Sequence, residues 1–358
     1  MKTRIAIACQ GGGSQTAFTA GVLKGLFEEG VHREFDIVSL SGTSGGSICA
    51  ALAWYALAKG DREPWHRLID FWLENTAQSP QEQAFNQMMI ESLRNVSRGH
   101  APQFAFSPAS PVAAAMMSVA AASFRPRFFD LRALLEAHID FAELGRWGPR
   151  AEGPALLIGA ADVMSGQLVK FSSRTSAVRV EQILASCAVP SIFPAVPFDG
   201  SAYWDGLFSD NPPVKELIRP IYVGLQSIPN EIWVIKINPT TCDSVPVEPE
   251  AIGDRRNQLV GNVSLFQSLE SLAFVNELLR MQAFKPEFLR QFDVHQPVRI
   301  PRAHPAVEDR DYYIPFIEIS RELQSTLDYE SKLDRSPQNI LALIADGEKQ
   351  ARVFLNER

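Results

Sequence analysis

Cysteine and histidine are both scarce in this chain. Four cysteines (Cys9, Cys49, Cys187 and Cys242) are spread over 358 residues, none in a C-x-x-C pair, and the six histidines are scattered as well. A disulfide-stapled scaffold or a Cys/His metal centre needs paired spacings or clustered ligands, so neither is legible; the serine chemistry read below needs no metal or organic cofactor, and none is expected. Cys9, Cys49 and Cys187 fall in apolar strand or helix patterns, which reads as reduced core thiols and a cytoplasmic location. Long hydrophobic runs are missing too. The nearest, Val112 to Phe124, falls well short of a bilayer span, and Ile5 to Cys9 is too short for a signal-peptide core. Positive charge never gathers: the net charge is −7 with no Lys/Arg cluster, which argues against nucleic acid as a partner. There is no internal repeat and no low-complexity segment.

What is present is ordinary globular sequence, 46% apolar and 21% charged, long enough to bury a large core. No stretch has the composition of a linker. One domain is therefore expected over residues 1–358, with a helical insert at about 61–150 and a C-terminal helical segment at about 319–358.

The most informative stretch is Gly42-Thr43-Ser44-Gly45-Gly46. The β-favouring run Phe35 to Leu40 precedes it and the apolar run Ile48 to Trp54 follows, so it joins a buried strand to a buried helix. A G-x-S-x-G sequence in that setting is a nucleophile elbow. The turn lifts the serine hydroxyl over a helix N-terminus, where free N–H groups favour a developing oxyanion. Gly42 and Gly46 let the chain pass close by.

An earlier glycine loop, Gln10-Gly11-Gly12-Gly13-Ser14-Gln15, follows the apolar strand 4–9. Phe18, Val22 and Leu26 recur every four residues after it, so a helix comes next. Dinucleotide binding is a poor fit, because Thr16 stands where the third glycine should be and no acidic residue closes the second strand. The loop better suits donation of N–H groups to an acyl oxyanion.

Between about 61 and 150 the strand patterns vanish. Helices are expected around Trp65 to Glu74, Gln83 to Val96, Val112 to Phe124 and Leu131 to His138. Phe104, Phe106, Met116, Met117, Phe124, Phe128 and Phe129 add soft apolar bulk. Such an insert is either a lid or plain helical packing. Strands resume at 155–163 and 167–172, and a short helix covers about 180–188. Two prolines, Pro190 and Pro194, then fix an extended turn. Gly200 marks a tight turn before the short strand at Tyr203 and Trp204, which ends in Asp205-Gly206. A strand at 231–238 and a long helix within 251–281 follow. Ser336 and Pro337 punctuate a last helix whose stripe is Ile340, Ile344, Gly347, Ala351 and Phe354.

Three stretches, Gln10-Gly11-Gly12-Gly13, Gly42-Thr43-Ser44-Gly45-Gly46 and Asp205-Gly206, stand in an order and spacing that resembles the patatin-like phospholipase family. The stretch Ala185 to Val196 and the pair Asn211-Pro212 are similar to that family as well, and Ser331 to Ser336 is similar to a bacterial branch of it. The resemblance implies a three-layer α/β/α fold with a mostly parallel sheet. It implies Ser44 as nucleophile, Asp205 as its partner in a dyad, and the backbone of Gly11, Gly12 and Gly13 as an oxyanion hole, to which Gly45 adds its amide. It implies acyl esters of lipids as the substrate class. Two positions depart from the pattern: Gln15 where a basic residue is common, and Leu207 where glycine or alanine follows the Asp-Gly pair.

An ordinary aspartate, with a pKa of about 4, is a poor base for a serine hydroxyl. Asp205 is therefore expected out of water and within reach of Ser44. Two other readings compete. A triad hydrolase would need His295 or His304, and a catalytically silent scaffold would need no chemistry at all. The partners expected are a lipid or other acyl-ester substrate and peripheral membrane contact through the insert. Oligomeric state is not legible.

Overall fold

The computed structural model describes residues 2–102, 107, 110–111, 115, 118–119, 122–190, 192–291, 296–302 and 313–358. Its frame is an eight-stranded sheet in the order β10-β7-β1-β2-β3-β6-β5, with β4 beside β3. The strands are β1 (Arg4–Cys9), β2 (Asp36–Gly42), β3 (Ala155–Asp162), β4 (Leu168–Ser172), β5 (Val196–Phe198) and β6 (Ser201–Asp205). They continue with β7 (Glu231–Lys236), the pair β8 (Ile300–Pro301) and β9 (Tyr313–Ile314), and β10 (Ile317–Glu318). β10, β7, β1, β2 and β3 run parallel, whereas β4 and β6 are antiparallel to β3 and β5 is antiparallel to β6.

The continuous apolar runs follow from burial on both faces. Ile5, Ile7, Cys9, Leu156, Ile158, Trp233 and Ile235 enter one core. Their strand neighbours Ala6, Ala8, Ala155, Leu157, Ile232 and Val234 enter the other. Helices cover both faces, which makes three layers, as expected. In chain order they are α1 (Ala17–Glu28), α2 (Gly45–Lys59), α3 (His66–Glu74), α4 (Pro80–Ser97) and α5 (Leu131–His138). α6 (Phe141–Trp147), α7 (Val180–Ser186), α8 (Pro249–Arg280) and α9 (Pro337–Glu357) follow. α8 packs on the second face through Leu265, Leu269 and Leu272; α1, α2, α3, α5, α6, α7 and α9 contribute to the first core.

The register of β3 positions the site. β2 and β4 both pair with Leu157 and Ile158, so they occupy opposite edges of β3. β4 and β6 both pair with Ala160 and Ala161, so they too are on opposite edges. Hence β2 and β6 share one edge and meet end to end. Gly42 lies opposite Ile158 and Asp205 opposite Ala160, two residues along, about 7 Å. β5 and β6 turn on Asp199 and Gly200, both at positive φ (51° and 79°), as a two-residue hairpin requires.

The insert is punctuated by side-chain caps. Ser79 and Glu82 form a capping box at α4, Asp130 caps α5 and Asp140 caps α6. α6 is a helix the sequence reading missed, since seven residues are too few to show a period. Phe104, Phe106, Met116, Met117 and most of the expected helix Val112 to Phe124 lie outside the described residues. At the C-terminus Ser336 caps α9, with Pro337 at its first position. Among the described residues no helix is long and apolar enough to cross a membrane. None of their His, Cys, Asp and Glu side chains cluster in threes to hold a metal ion. The four cysteines are free thiols.

Candidate active site

Ser44 stands at the β2–α2 junction with φ 54° and ψ −134°, a strained backbone for any residue with a Cβ. Several contacts hold it there. The Ser44 N–H donates to Ser186 Oγ at 2.9 Å, and that hydroxyl donates to the Gly159 carbonyl at 2.7 Å. The Thr43 hydroxyl donates to the Asp210 carbonyl at 2.6 Å. Gly46 has no room for a side chain, because a Cβ there would fall on the Cys9 and Gln10 carbonyls.

Asp205 ends β6 and is wholly buried. Its N–H donates to the Ala188 carbonyl at 2.9 Å, and its Oδ1 accepts the Leu207 N–H at 2.8 Å. Leu207 is not at positive φ, so the larger side chain is accommodated and its amide braces the carboxylate. Burial raises the Asp205 carboxyl to about 7, held from rising further by the Ser44 hydroxyl and the Leu207 amide. The Ser44 hydroxyl faces the carboxyl, yet no well-formed hydrogen bond closes on the buried Oδ2.

The loop after Asp205 is pinned from below. Asp210 Oδ2 meets the Lys170 ammonium at 2.5 Å, with Glu216 at 3.5 Å from the same ammonium. Burial pulls Lys170 down, but these carboxylates outweigh it and the net shift is upward. Nearby, Cys187 is no rival nucleophile: burial and the Asp205 charge push its thiol up.

The glycine loop supplies N–H groups, though not all those expected. Of the three expected donors Gly11, Gly12 and Gly13, the first is lost: the Gly11 N–H donates to Asn211 Oδ1 at 2.6 Å. The amides of Gly12, Gly13 and Gly45 have no acceptor among the described residues. Gly13 has φ +56°, a conformation that suits glycine. Gly45 is the first residue of α2, so its N–H has no intrahelical acceptor. Gln15 is buried, its amide donating to Ser331 Oγ at 2.8 Å and the Asp328 carbonyl at 3.2 Å.

Sequence reasoning missed three supporting residues. Gln10 accepts from the Ile237 and Asn238 amides (2.8 and 2.9 Å) and donates to Asn262 Oδ1 (3.0 Å) and the Gly261 carbonyl (3.1 Å). Its place before three glycines was the one signal available. Ser186 and Asn211 lie in stretches that resemble the family, but their contacts, more than 100 residues away, had no signal. His295 and His304 lie outside the described residues.

A family model described as patatin-like phospholipase matches residues 7–218, more than half of the chain. The chain belongs to that family. The matched residues include the glycine loop, Ser44 and Asp205, and the family's chemistry is lipid acyl hydrolysis. Among solved structures the chain is similar to VipD from Legionella pneumophila, with 13% identity and a TM-score of 0.44, over 99% of this chain and 67% of that one. It is also similar to a chain of the heterodimeric ExoU–SpcU complex from the type III secretion system of Pseudomonas aeruginosa. There the identity is 17% and the TM-score 0.24, over 83% of this chain and 57% of that one. No curated protein matches the chain.

Proposed function

We propose that the protein is a serine acyl hydrolase that cleaves carboxylic ester bonds of lipids through Ser44 and Asp205. One observation carries this reading. A wholly buried carboxyl, raised to about 7, faces a strained serine at a helix N-terminus beside three amides that have no acceptor among the described residues.

In this reading Ser44 Oγ attacks the ester carbonyl carbon while its proton passes to Asp205. The amides of Gly12, Gly13 and Gly45 take the oxyanion. Collapse expels the alcohol, which leaves with the proton from Asp205, and the acyl group stays on Ser44. Water then attacks the acyl-enzyme, again giving its proton to Asp205, and the carboxylic acid departs as Ser44 is reprotonated. A pKa near 7 makes Asp205 a better base than an ordinary carboxylate while leaving it ionised in useful amount at neutral pH. Ile192 and Phe193, about 40% exposed, follow Ala188, whose carbonyl accepts the Asp205 N–H, and offer apolar surface suited to a lipid.

The test is hydrolysis of a chain-length series of p-nitrophenyl esters by wild type, S44A and D205N, with a fluorophosphonate probe alongside. Ser44-dependent turnover that both substitutions reduce to background in folded protein is the expected result. Absence of both turnover and Ser44 labelling would favour a silent scaffold.

A further inference from the structure

We propose that the turn at residues 328–335 positions the glycine loop, with Ser331 acting through Gln15 as a positioning residue for the Gly12 and Gly13 amides. The proposal rests on the ester hydrolase reading above. None of these turn residues lies within the matched stretch 7–218.

The turn is self-bonded. Ser331 donates its N–H to Asp328 Oδ1 at 2.8 Å and its hydroxyl to the Asp328 carbonyl at 2.6 Å. The same hydroxyl oxygen accepts the Gln15 amide at 2.8 Å. The Lys332 carbonyl occupies the place a Cβ on Gly13 would take, so it lies flat on the glycine whose φ is +56°. The Lys332 ammonium donates to Asn238 Oδ1 at 2.6 Å, and the Asn238 N–H is held by Gln10 Oε1. One short turn therefore grips the glycine loop at Gln15 and, through Asn238, at Gln10.

The turn is itself anchored to the insert. Arg94 of α4 meets Asp328 Oδ2 at 2.7 Å, Asn86 donates to Asp334 Oδ1 at 2.8 Å, and the Arg335 carbonyl accepts the Ala77 N–H at 2.8 Å. A three-glycine loop has many backbone alternatives, and amides that stabilise an oxyanion act only when fixed in direction. The turn removes those alternatives.

Steady-state hydrolysis of p-nitrophenyl butyrate by the full chain tests this, with wild type, S44A, S331A, S331T, Q15M and the double variant S331A/Q15M. In S331A and Q15M, kcat is expected to fall about 10- to 100-fold, the size expected of misaligned amides, with KM within about twofold. The double variant should lose clearly less than the product of the two single losses, because both remove the Gln15–Ser331 bond. S331T, which keeps the hydroxyl, should recover most of the rate, and the rising limb of the pH profile should not move.

Unchanged kcat in S331A and Q15M would overturn the proposal. So would a loss confined to KM, or S331T as poor as S331A. Failure of both single variants to fold would make the turn a stability element and also overturn it. Wild type without Ser44-dependent turnover would instead sink the hydrolase reading, and this proposal with it.

Discussion

The glycine loop with its elbow, residues 10–16 and 42–46, and the helices α3 to α6 are held by different contacts. In the first region many contacts reach the backbone from small buried side chains: Ser186 on the Ser44 amide, Thr43 on the Asp210 carbonyl, Asn211 on the Gly11 amide, with Gln10 and Gln15 adding neutral side-chain bonds to Asn262 and Ser331. In the second, beside the helix caps, pairs of long charged side chains are prominent, such as Arg125 with Glu82, Arg127 with Glu74, and Arg132 with Glu181. Backbone contacts fix direction to a fraction of an ångström, which is what a reacting centre demands. Ion pairs between long side chains mostly add stability, and that stability depends on pH and salt.

Substitutions should therefore separate by region. The largest effect falls on Ser44. S44A should lose turnover by about 10⁴-fold or more, judged by single-turnover kinetics. S44G should be as inactive yet more stable in urea by about 1 kcal/mol or more, because glycine relieves the positive φ.

D205N should lose activity on a similar scale, and wild-type kcat/KM should rise with pH through about 7 as the carboxylate ionises. The same shift has a stability sign. The folded-state value lies above the unfolded value, so the carboxyl costs stability progressively as pH rises from about 4 to 7. D205N should therefore be more stable than wild type at pH 8, by on the order of 4 kcal/mol, with the gain shrinking towards pH 5. Equal stabilities at both pH values would contradict the raised carboxyl.

G45A comes next. A Cβ there would overlap the Thr16 hydroxyl and press on the Gly13 carbonyl. If one amide donor is displaced, kcat should drop about 10²–10³-fold with the fold intact by circular dichroism.

R125A is the smallest in rate, with kcat unchanged. It strips the buried Glu82 of its cation and should cost about 1.5–3 kcal/mol of stability. Burial pushes the Glu82 carboxyl up, but Arg125 and the Gln78 and Ser79 amides outweigh it and the net shift is downward. Its contribution is thus full above the unfolded value and is lost as pH falls through the folded one, so wild type and R125A should converge in acid. A fall in kcat at unchanged stability would break the contrast and bring the insert into the chemistry.

The same contrast explains what could be read in advance. β1, β2, β3, β7 and the elbow were legible because a strand buried on both faces is a continuous apolar run, and because the serine turn has a local sequence. The caps at Ser336 and Pro337 were legible for the same local reason. The burial of Asp205 was expected only from the chemistry it would have to do. Its physical cause, β6 meeting β2 end to end on one edge of β3, is a matter of register between distant segments. The loss of Gly11 as a donor depends on a side chain 200 residues further on. The role of the turn at Ser331 depends on one 316 residues away.

Strand order has a consequence in time. β1 lies between β2 and β7, so the strand that carries the glycine loop has its second neighbour only when residues 231–236 have been made. Parallel pairings between segments this distant form late and slowly, because a large loop must close before any contact rewards it. A nascent chain thus exposes the elbow serine long before the glycine loop is fixed in the sheet. Competence for chemistry would then arrive as one late event of folding and would not accumulate as the chain grows.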